Sequence, residues 1–253
     1  MSQSAPASAL PLFYRQPEPL SPAQHGELKV RDGNLSFAAD TAYVPVMTSE
    51  FAFASRDYPL LFVARTVAPI ALVGLRERNL FLDGGDWLAD TYVPAYVRRY
   101  PFTTVRMEDD AQGNGGFVMV VDAACDRFGA DEGMPLFENG EPSFYTRQVM
   151  QFCEQFHLDA LATEAFSAAL MAQEGLLIDR RADVTLPSGE KLGVDGFRVV
   201  DPERFAALDD ATVADWHRKG WLALIHFHLA SLERFQNLLK RQAALTPPSA
   251  NAA

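Results

Sequence analysis

The sequence predicts an α+β fold, and three observations predict it. Short β-type runs crowd the first half, a long stretch of helical spacing occupies 141–175, and a hairpin and further helices complete the chain. Strands and helices do not alternate regularly, which argues against a doubly wound sheet. No repeat of fixed period is visible. We read a single domain over residues 23–243, with a β-rich N-terminal half packed with a long helix, a β-hairpin and C-terminal helices. Residues 1–22 carry prolines at 6, 11, 17, 19 and 22 and read as an extended arm that packs through Leu12, Phe13 and Tyr14. Residues 244–253 read as a disordered tail.

The β-type runs fall at 43–47, 60–64, 70–75, 80–82, 103–107 and 117–121. Turn residues punctuate them at Asp32-Gly33-Asn34, Asp83-Gly84-Gly85-Asp86 and Gln112-Gly113-Asn114-Gly115-Gly116, and the last makes 103–121 a hairpin. Residues 48–56 read as a short helix capped by Thr48 or Ser49. The long helix starts near Pro142, where a missing N–H costs little, and Gly175 ends it. Its apolar stripe runs through Val149, Phe152, Phe156, Thr163, Phe166 and Leu170, with a polar interruption at Asp159. Two strands at 182–186 and 191–200 follow, joined by Pro187-Ser188-Gly189-Glu190. Asp201-Pro202 opens a short helix, 209–219 forms another behind acids that suit the helix dipole, and Gly220 precedes a last helix over 221–243.

The composition excludes several function classes. The chain has 253 residues, with 22 Lys+Arg against 33 Asp+Glu, a net charge of −11. That acid excess opposes the phosphate neutralisation on which nucleic-acid binding depends, so no nucleic-acid partner is expected. The longest helix-like apolar stretch, 221–232, contains two histidines and falls short of a bilayer span, so no membrane insertion is expected. The N-terminus has neither the positive charge nor the apolar run of a secretory leader, which makes the cytoplasm the default location. Leaderless export to the cell surface is the alternative. Cys125 and Cys153 form no C-x-x-C, and Cys153, between Phe152 and Phe156, reads as a buried small hydrophobe. A bridge between the two stays open.

No chemical motif declares a reaction. There is no P-loop, dinucleotide fingerprint, G-x-S-x-G elbow or H-E-x-x-H, and no cofactor is expected. His157-Leu158-Asp159 has the spelling of half an iron site, but inside a helix its ligands diverge. Asp110-Ala-Gln-Gly-Asn114-Gly115 starts like a calcium loop but has Val121 where a glutamate is required. Asp122, Asp126, Asp131, Glu132, Glu138 and Glu141 read as a solvated acidic loop, with a cation site as the rival. His228 lies on the apolar face of the last helix, with Trp221, Leu224, Leu232, Phe235 and Leu239, and reads as a core histidine with one hydrogen bond. His226 points away. His217 joins the face of His228 only if Gly220 is helical. The most unusual segment is Tyr92-Val-Pro-Ala-Tyr-Val-Arg-Arg-Tyr-Pro-Phe102. It reads either as a recognition surface through Tyr96, Arg98, Arg99 and Tyr100, or as one or two proline-bracketed helical turns with Tyr92, Tyr96 and Tyr100 on one face.

Several segments together resemble a bacterial family called SapC. They are Pro11-Leu-Phe-Tyr-Arg-Gln-Pro17, Val93-Pro-Ala-Tyr-Val-Arg-Arg-Tyr-Pro-Phe102, Asp131-Glu-Gly-Met-Pro-Leu-Phe-Glu-Asn-Gly-Glu-Pro142, Ala182-Asp-Val-Thr-Leu-Pro-Ser-Gly189, Gly196-Phe-Arg-Val-Val-Asp201, and Gly220-Trp-Leu-Ala-Leu-Ile225 with His228-Leu-Ala-Ser-Leu232. The resemblance implies an association with a surface-layer system and genes near outer-membrane receptors and flavin-dependent halogenases. It carries over no catalytic residue, and it is not to the peptide-transporter permease of the same name.

The expected function is therefore a non-enzymatic binding or accessory protein of a bacterial surface-layer or envelope uptake system, with an envelope or surface-layer protein as partner. The rival is an enzyme or small-molecule-binding protein whose site is assembled around Trp216, His217, Trp221, His226 or His228. A structural surface-layer subunit is a weaker third reading.

Overall fold

The computed structural model describes residues 10–106, 116–185, 189 and 191–245. The turns expected at 112–116 and 187–190 fall mostly outside the described residues, as do the calcium-like segment and the tail from 246. The fold is α+β, as the sequence predicts. Two compact units divide it, one from Met1–Asn34 with Arg99–Gln155, the other from Leu35–Arg98 with Phe156–Ala253. One long helix, Phe144–Ala172, contributes to both.

In the first unit, the strands Pro17–Pro19, Phe117–Asp122 and Phe102–Arg106 form an antiparallel sheet with Phe117–Asp122 in the centre. The proline-rich arm thus supplies an edge strand, the position where a residue without an N–H costs least. Tyr14 anchors it. Its ring is buried, and its hydroxyl donates to the Phe102 carbonyl at 2.6 Å. Lys29–Val30 pairs on both sides with two-residue strands, Phe128–Gly129 and Met134–Pro135. Phe137–Glu138 and Glu141–Pro142 make a hairpin through Asn139-Gly140, both with positive φ, the backbone that a two-residue hairpin loop requires. Val30, Phe102, Val121, Leu136, Phe137 and Cys153 pack the core of this unit.

Helix entry differs from expectation. Pro142 is in that hairpin, and the helix begins at Phe144 with Ser143 as its cap, the Oγ accepting from the Thr146 N–H at 3.1 Å. Cys125 and Cys153 are both free and buried, and burial pushes the Cys153 thiol up to about 11.

Asp122 corrects the reading of a wholly solvated acidic loop. Asp126, Asp131, Glu132, Glu138 and Glu141 are exposed, but Asp122 has no exposed surface. Its carboxylate accepts from the backbone N–H of Gln16 at 2.6 Å, from that of Arg15 at 3.2 Å, and from the Tyr100 hydroxyl at 2.9 Å. A buried carboxylate persists only when such donors surround it.

The second unit centres on a five-stranded antiparallel sheet, in the order Leu177–Thr185, Lys191–Val200, Leu60–Val63, Pro69–Leu72, Tyr43–Pro45. The expected hairpin is present, although its first strand starts at Leu177, earlier than its turn signals indicate. Phe166 seats the long helix on this sheet, its buried ring 6.3 Å from Phe51 and 6.4 Å from Phe62. The short helix does not use the expected caps. A 3-10 turn, Thr48–Glu50, leads into Phe51–Ala54, and the Met47 N–H donates to the Glu50 carboxylate at 2.8 Å. The Thr48 and Ser49 hydroxyls instead meet the long helix at Thr163 and Asp159.

Asp201 caps its helix as expected, and Asp209, expected as the first residue of the next, is its cap. Gly220 takes φ +73 and separates Asp210–Arg218 from Trp221–Ser231, so it is not helical and His217 does not continue the face of His228. The last expected helix is two, Trp221–Ser231 and Phe235–Leu245, joined by a 3-10 turn at Leu232–Arg234. The buried line correspondingly passes through Ile225, His228, Ser231, Leu238 and Gln242. Among the described residues no helix is long and apolar enough to cross a membrane.

Asp122→Ala is expected to lower the stability measured by urea unfolding by about 3 kcal/mol, because the buried Tyr100 hydroxyl and the Arg15 and Gln16 N–H groups lose a charged acceptor together. Arg15 should at the same time become a tryptic site. Unchanged protection of Arg15 in the variant would show that the strap does not depend on this carboxylate.

Candidate functional site

The eight residues singled out in the sequence separate into two places. Tyr96, Arg98, Arg99 and Tyr100 lie around a single helical turn, Ala95–Arg98, flanked by Pro94 and Pro101. Only one turn forms, so Tyr92 and Tyr100 lie outside it and the three tyrosines do not stack as a helical face. Tyr96 is buried, its ring 6.2 Å from Phe156. Tyr100 is buried too. Burial first, then its bond to Asp122, pushes its hydroxyl well above the ordinary tyrosine value. Arg99 is half-buried with its guanidinium over the Tyr14 ring. Arg98 is exposed.

Arg98 ends an aromatic and arginine stack that extends beyond the segment. Its guanidinium lies 5.8 Å from the centre of the Tyr92 ring, and it donates to the Tyr92 hydroxyl at 3.2 Å and the Val93 carbonyl at 3.0 Å. Tyr92 stacks on Phe53, with ring centres 5.8 Å apart and planes within 19°. Arg56 covers the Phe53 ring at 5.3 Å. The order Arg56, Phe53, Tyr92, Arg98 thus sets two stacked rings between two cations. Phe53 remains 51% exposed at its middle.

Beneath the stack, Glu50 fixes its geometry. The carboxylate is buried and accepts from the Tyr92 hydroxyl at 3.0 Å, the Ala95 N–H at 2.7 Å and the Met47 N–H. Desolvation raises its pKa against the pull of these bonds and of Arg98. Burial raises the Tyr92 hydroxyl to about 12, with the Glu50 charge adding to the effect. Tyr58 donates to the Tyr92 carbonyl and accepts from the Trp87 indole at 2.9 Å, so the strand end below is also pinned. Sequence reasoning found Tyr92 and Arg98 but missed Glu50, Phe53 and Arg56, which lie in and around the Phe51–Ala54 helix, far along the chain. The only signal for them was the Phe51-Ala-Phe-Ala-Ser-Arg56 run, where two phenylalanines at i and i+2 cannot share one buried face.

The second group is the C-terminal cluster. Trp216 is buried and meets Trp221 edge-to-face at 6.0 Å, while Lys219 Nζ sits 4.5 Å over the Trp221 ring. His217 is exposed, and His226 is exposed with its ring 5.3 Å from Phe205. His228 is fully buried and makes two hydrogen bonds, one more than expected. The Val200 N–H donates to Nε2 at 3.0 Å, so Nε2 carries no proton, and Nδ1–H donates to the Leu60 carbonyl at 2.8 Å. Phe197 pairs with Val63 and Arg198 with Phe62, and continuing that register would set Val200 beside Leu60. The imidazole therefore bridges two strands where their ladder opens. Ser231 completes the clamp, accepting from the Leu60 N–H at 2.9 Å and donating to the His228 carbonyl at 2.6 Å.

Burial lowers His228 from an ordinary 6.5 to about 4, the Leu60 bond acting weakly the other way. The unfolded chain takes up this proton as pH falls below about 6.5, and the folded chain only near 4. Stability is therefore expected to fall by about 3 kcal/mol as pH drops through that window. Glu50, raised in the fold, contributes a slope of opposite sign, so the comparison is with His228→Gln, whose urea-unfolding profile should be flatter over the same window. Parallel profiles for the two proteins would refute the neutral buried imidazole.

No curated protein and no solved structure matches the chain. The family model described as SapC matches residues 20–238, nearly the whole chain. On that match the chain belongs to the SapC family.

Proposed function

We propose that this chain is a non-enzymatic binding or accessory protein of a bacterial surface-layer or envelope uptake system. The observation that carries the reading is the Arg56–Phe53–Tyr92–Arg98 stack, with an exposed phenylalanine between two exposed arginines. Arginine and large aromatics concentrate binding energy at protein interfaces, because they offer broad contact area with little rotamer freedom to lose. Glu50 and Tyr58 hold Tyr92 from below, so the stack is ordered before a partner arrives, which lowers the entropic cost of docking. Two guanidinium groups on an otherwise acidic chain select a partner surface that presents carboxylates. Family membership supports the bacterial envelope setting.

Affinity purification from the native bacterium with mass spectrometry tests this reading. An envelope component or a product of a neighbouring gene is the expected partner. Replacing Arg56 and Arg98 together with Ala is expected to weaken its capture about tenfold while the melting temperature stays nearly unchanged, since exposed cation–π contacts contribute only about 0.5–1 kcal/mol each to folding. Capture of no such partner would overturn the reading. A collapse in melting temperature would assign the stack to stability instead.

A further inference from the structure

The second half of the long helix is apolar on two opposite faces. Phe156, Thr163, Phe166, Ser167 and Leu170 form its buried side. At about 100° per residue, Leu158, Leu161, Ala162, Ala165, Ala168 and Ala172 fall within an outward arc of about 120°, and no polar side chain between 156 and 172 interrupts it. Leu158 and Leu161 are each about half exposed. A helix that is apolar all round is ordinarily covered all round, whereas a solvent-facing helix carries charges on its outer face.

A cleft of about 380 Å³ adjoins this face. The helix contributes Thr163, Glu164, Ser167 and Met171 to it, and the sheet contributes Pro45 and Pro69. The Thr163 and Ser167 hydroxyls are already committed, to the Asp159 and Val67 carbonyls at 2.7 and 2.8 Å, which leaves the floor effectively apolar. Glu164 is exposed at the rim. Between Arg147 and Arg180 the sequence has Glu154, Asp159, Glu164, Glu174 and Asp179, and neither Lys nor Arg.

We infer that this face and cleft dock an amphipathic helix from another protein, apolar along one side and flanked by Lys or Arg. Its apolar stripe lies along the Leu158–Leu161–Ala165–Ala168 line, where small residues let two backbones approach, and one anchor side chain enters the cleft. With exposed Glu164 beside it and no Lys or Arg after Arg147, this part of the helix supplies the charge complement to a basic flank. A strand is the wrong occupant for the neighbouring sheet edge. The Thr41 hydroxyl already donates to the Tyr43 carbonyl at 2.7 Å and accepts from its N–H at 3.3 Å, and Pro45 has no N–H to offer. A second copy is disfavoured by charge, because an antiparallel pair centred on Ala165 would set Glu164 beside its own mate. The inference goes beyond the accessory reading, since it concerns a face whose chemistry is opposite to that of the arginine stack.

Calorimetric titration of the full chain with a synthetic Leu/Lys amphipathic helix tests it, at physiological salt and with a scrambled peptide of the same composition as control. The patterned peptide is expected to bind about tenfold tighter than the scrambled one. Leu161→Glu and Glu164→Lys, both at exposed positions, should each abolish that difference without changing the melting temperature. If Leu161→Glu proves unstable, Glu164→Lys decides alone. Equal binding of both peptides overturns the inference, as does a patterned peptide indifferent to the substitutions. A dimer in sedimentation that Leu161→Glu dissociates also overturns it, since the occupant would then be a second copy. None of these outcomes bears on capture through Arg56 and Arg98.

Discussion

The sheet of the second unit depends on one imidazole. Lys191–Val200 and Leu60–Val63 pair directly only at two positions, Phe197 with Val63 and Arg198 with Phe62. Beyond them the strands would part with a carbonyl and an N–H left unpaired inside the core, each costing about 1–3 kcal/mol. His228 fills that gap from the Trp221–Ser231 helix, accepting from one strand and donating to the other. A neutral imidazole is suited to this because it offers one donor and one acceptor on opposite sides of a rigid ring. The C-terminal helix is thereby tied to two strands by hydrogen bonds as well as by packing. Burial lowers its pKa and so keeps the ring in the neutral form that this role needs.

The other buried polar groups obey the same logic. Asp122 gathers the Arg15 and Gln16 N–H groups, and Glu50 those of Met47 and Ala95. Each carboxylate closes an irregular backbone segment that has no ladder to satisfy it, and each also takes a tyrosine hydroxyl, from Tyr100 and Tyr92 respectively. The consequence differs with exposure. Tyr100 is buried, so its bond serves only the fold. Tyr92 is half exposed and passes its order outward to Phe53 and Arg98.

Much of this fold was legible in the sequence because punctuation carries physical constraint. Asp201 caps a helix, acids open the next, and Gly175 and Gly220 adopt the left-handed backbone that ends or interrupts them. The two-residue strands around Lys29–Val30 were not legible, because an alternation needs more than two residues to show. The Asn139-Gly140 hairpin was hidden by a run read as helix entry, although Asn-Gly is itself a strong hairpin signal. Asp122 was grouped with loop acids because a count of charges does not register burial. Half of the stack was visible in the Tyr92–Phe102 segment. The other half was not, because the pairing of Tyr92 with Phe53 is made by tertiary structure, through Glu50 and the Phe51–Ala54 helix.

These commitments bear on what each part of the second unit can offer a ligand. His228, Glu50 and Ser231 have the residue types of acid–base chemistry, but each is buried and engaged with backbone groups, and His228 is held in one tautomer by two of them. A general base must present its lone pair to a substrate proton, and Nε2 presents its lone pair to Val200. Besides exposed His217 and His226, the solvent side carries stacked rings and guanidinium groups at Phe53, Tyr92 and Arg98, and aliphatic side chains at Leu158, Leu161 and Met171. Such groups supply contact area and charge without transferring protons. The buried acid and imidazole groups of this unit are thus committed to holding the fold.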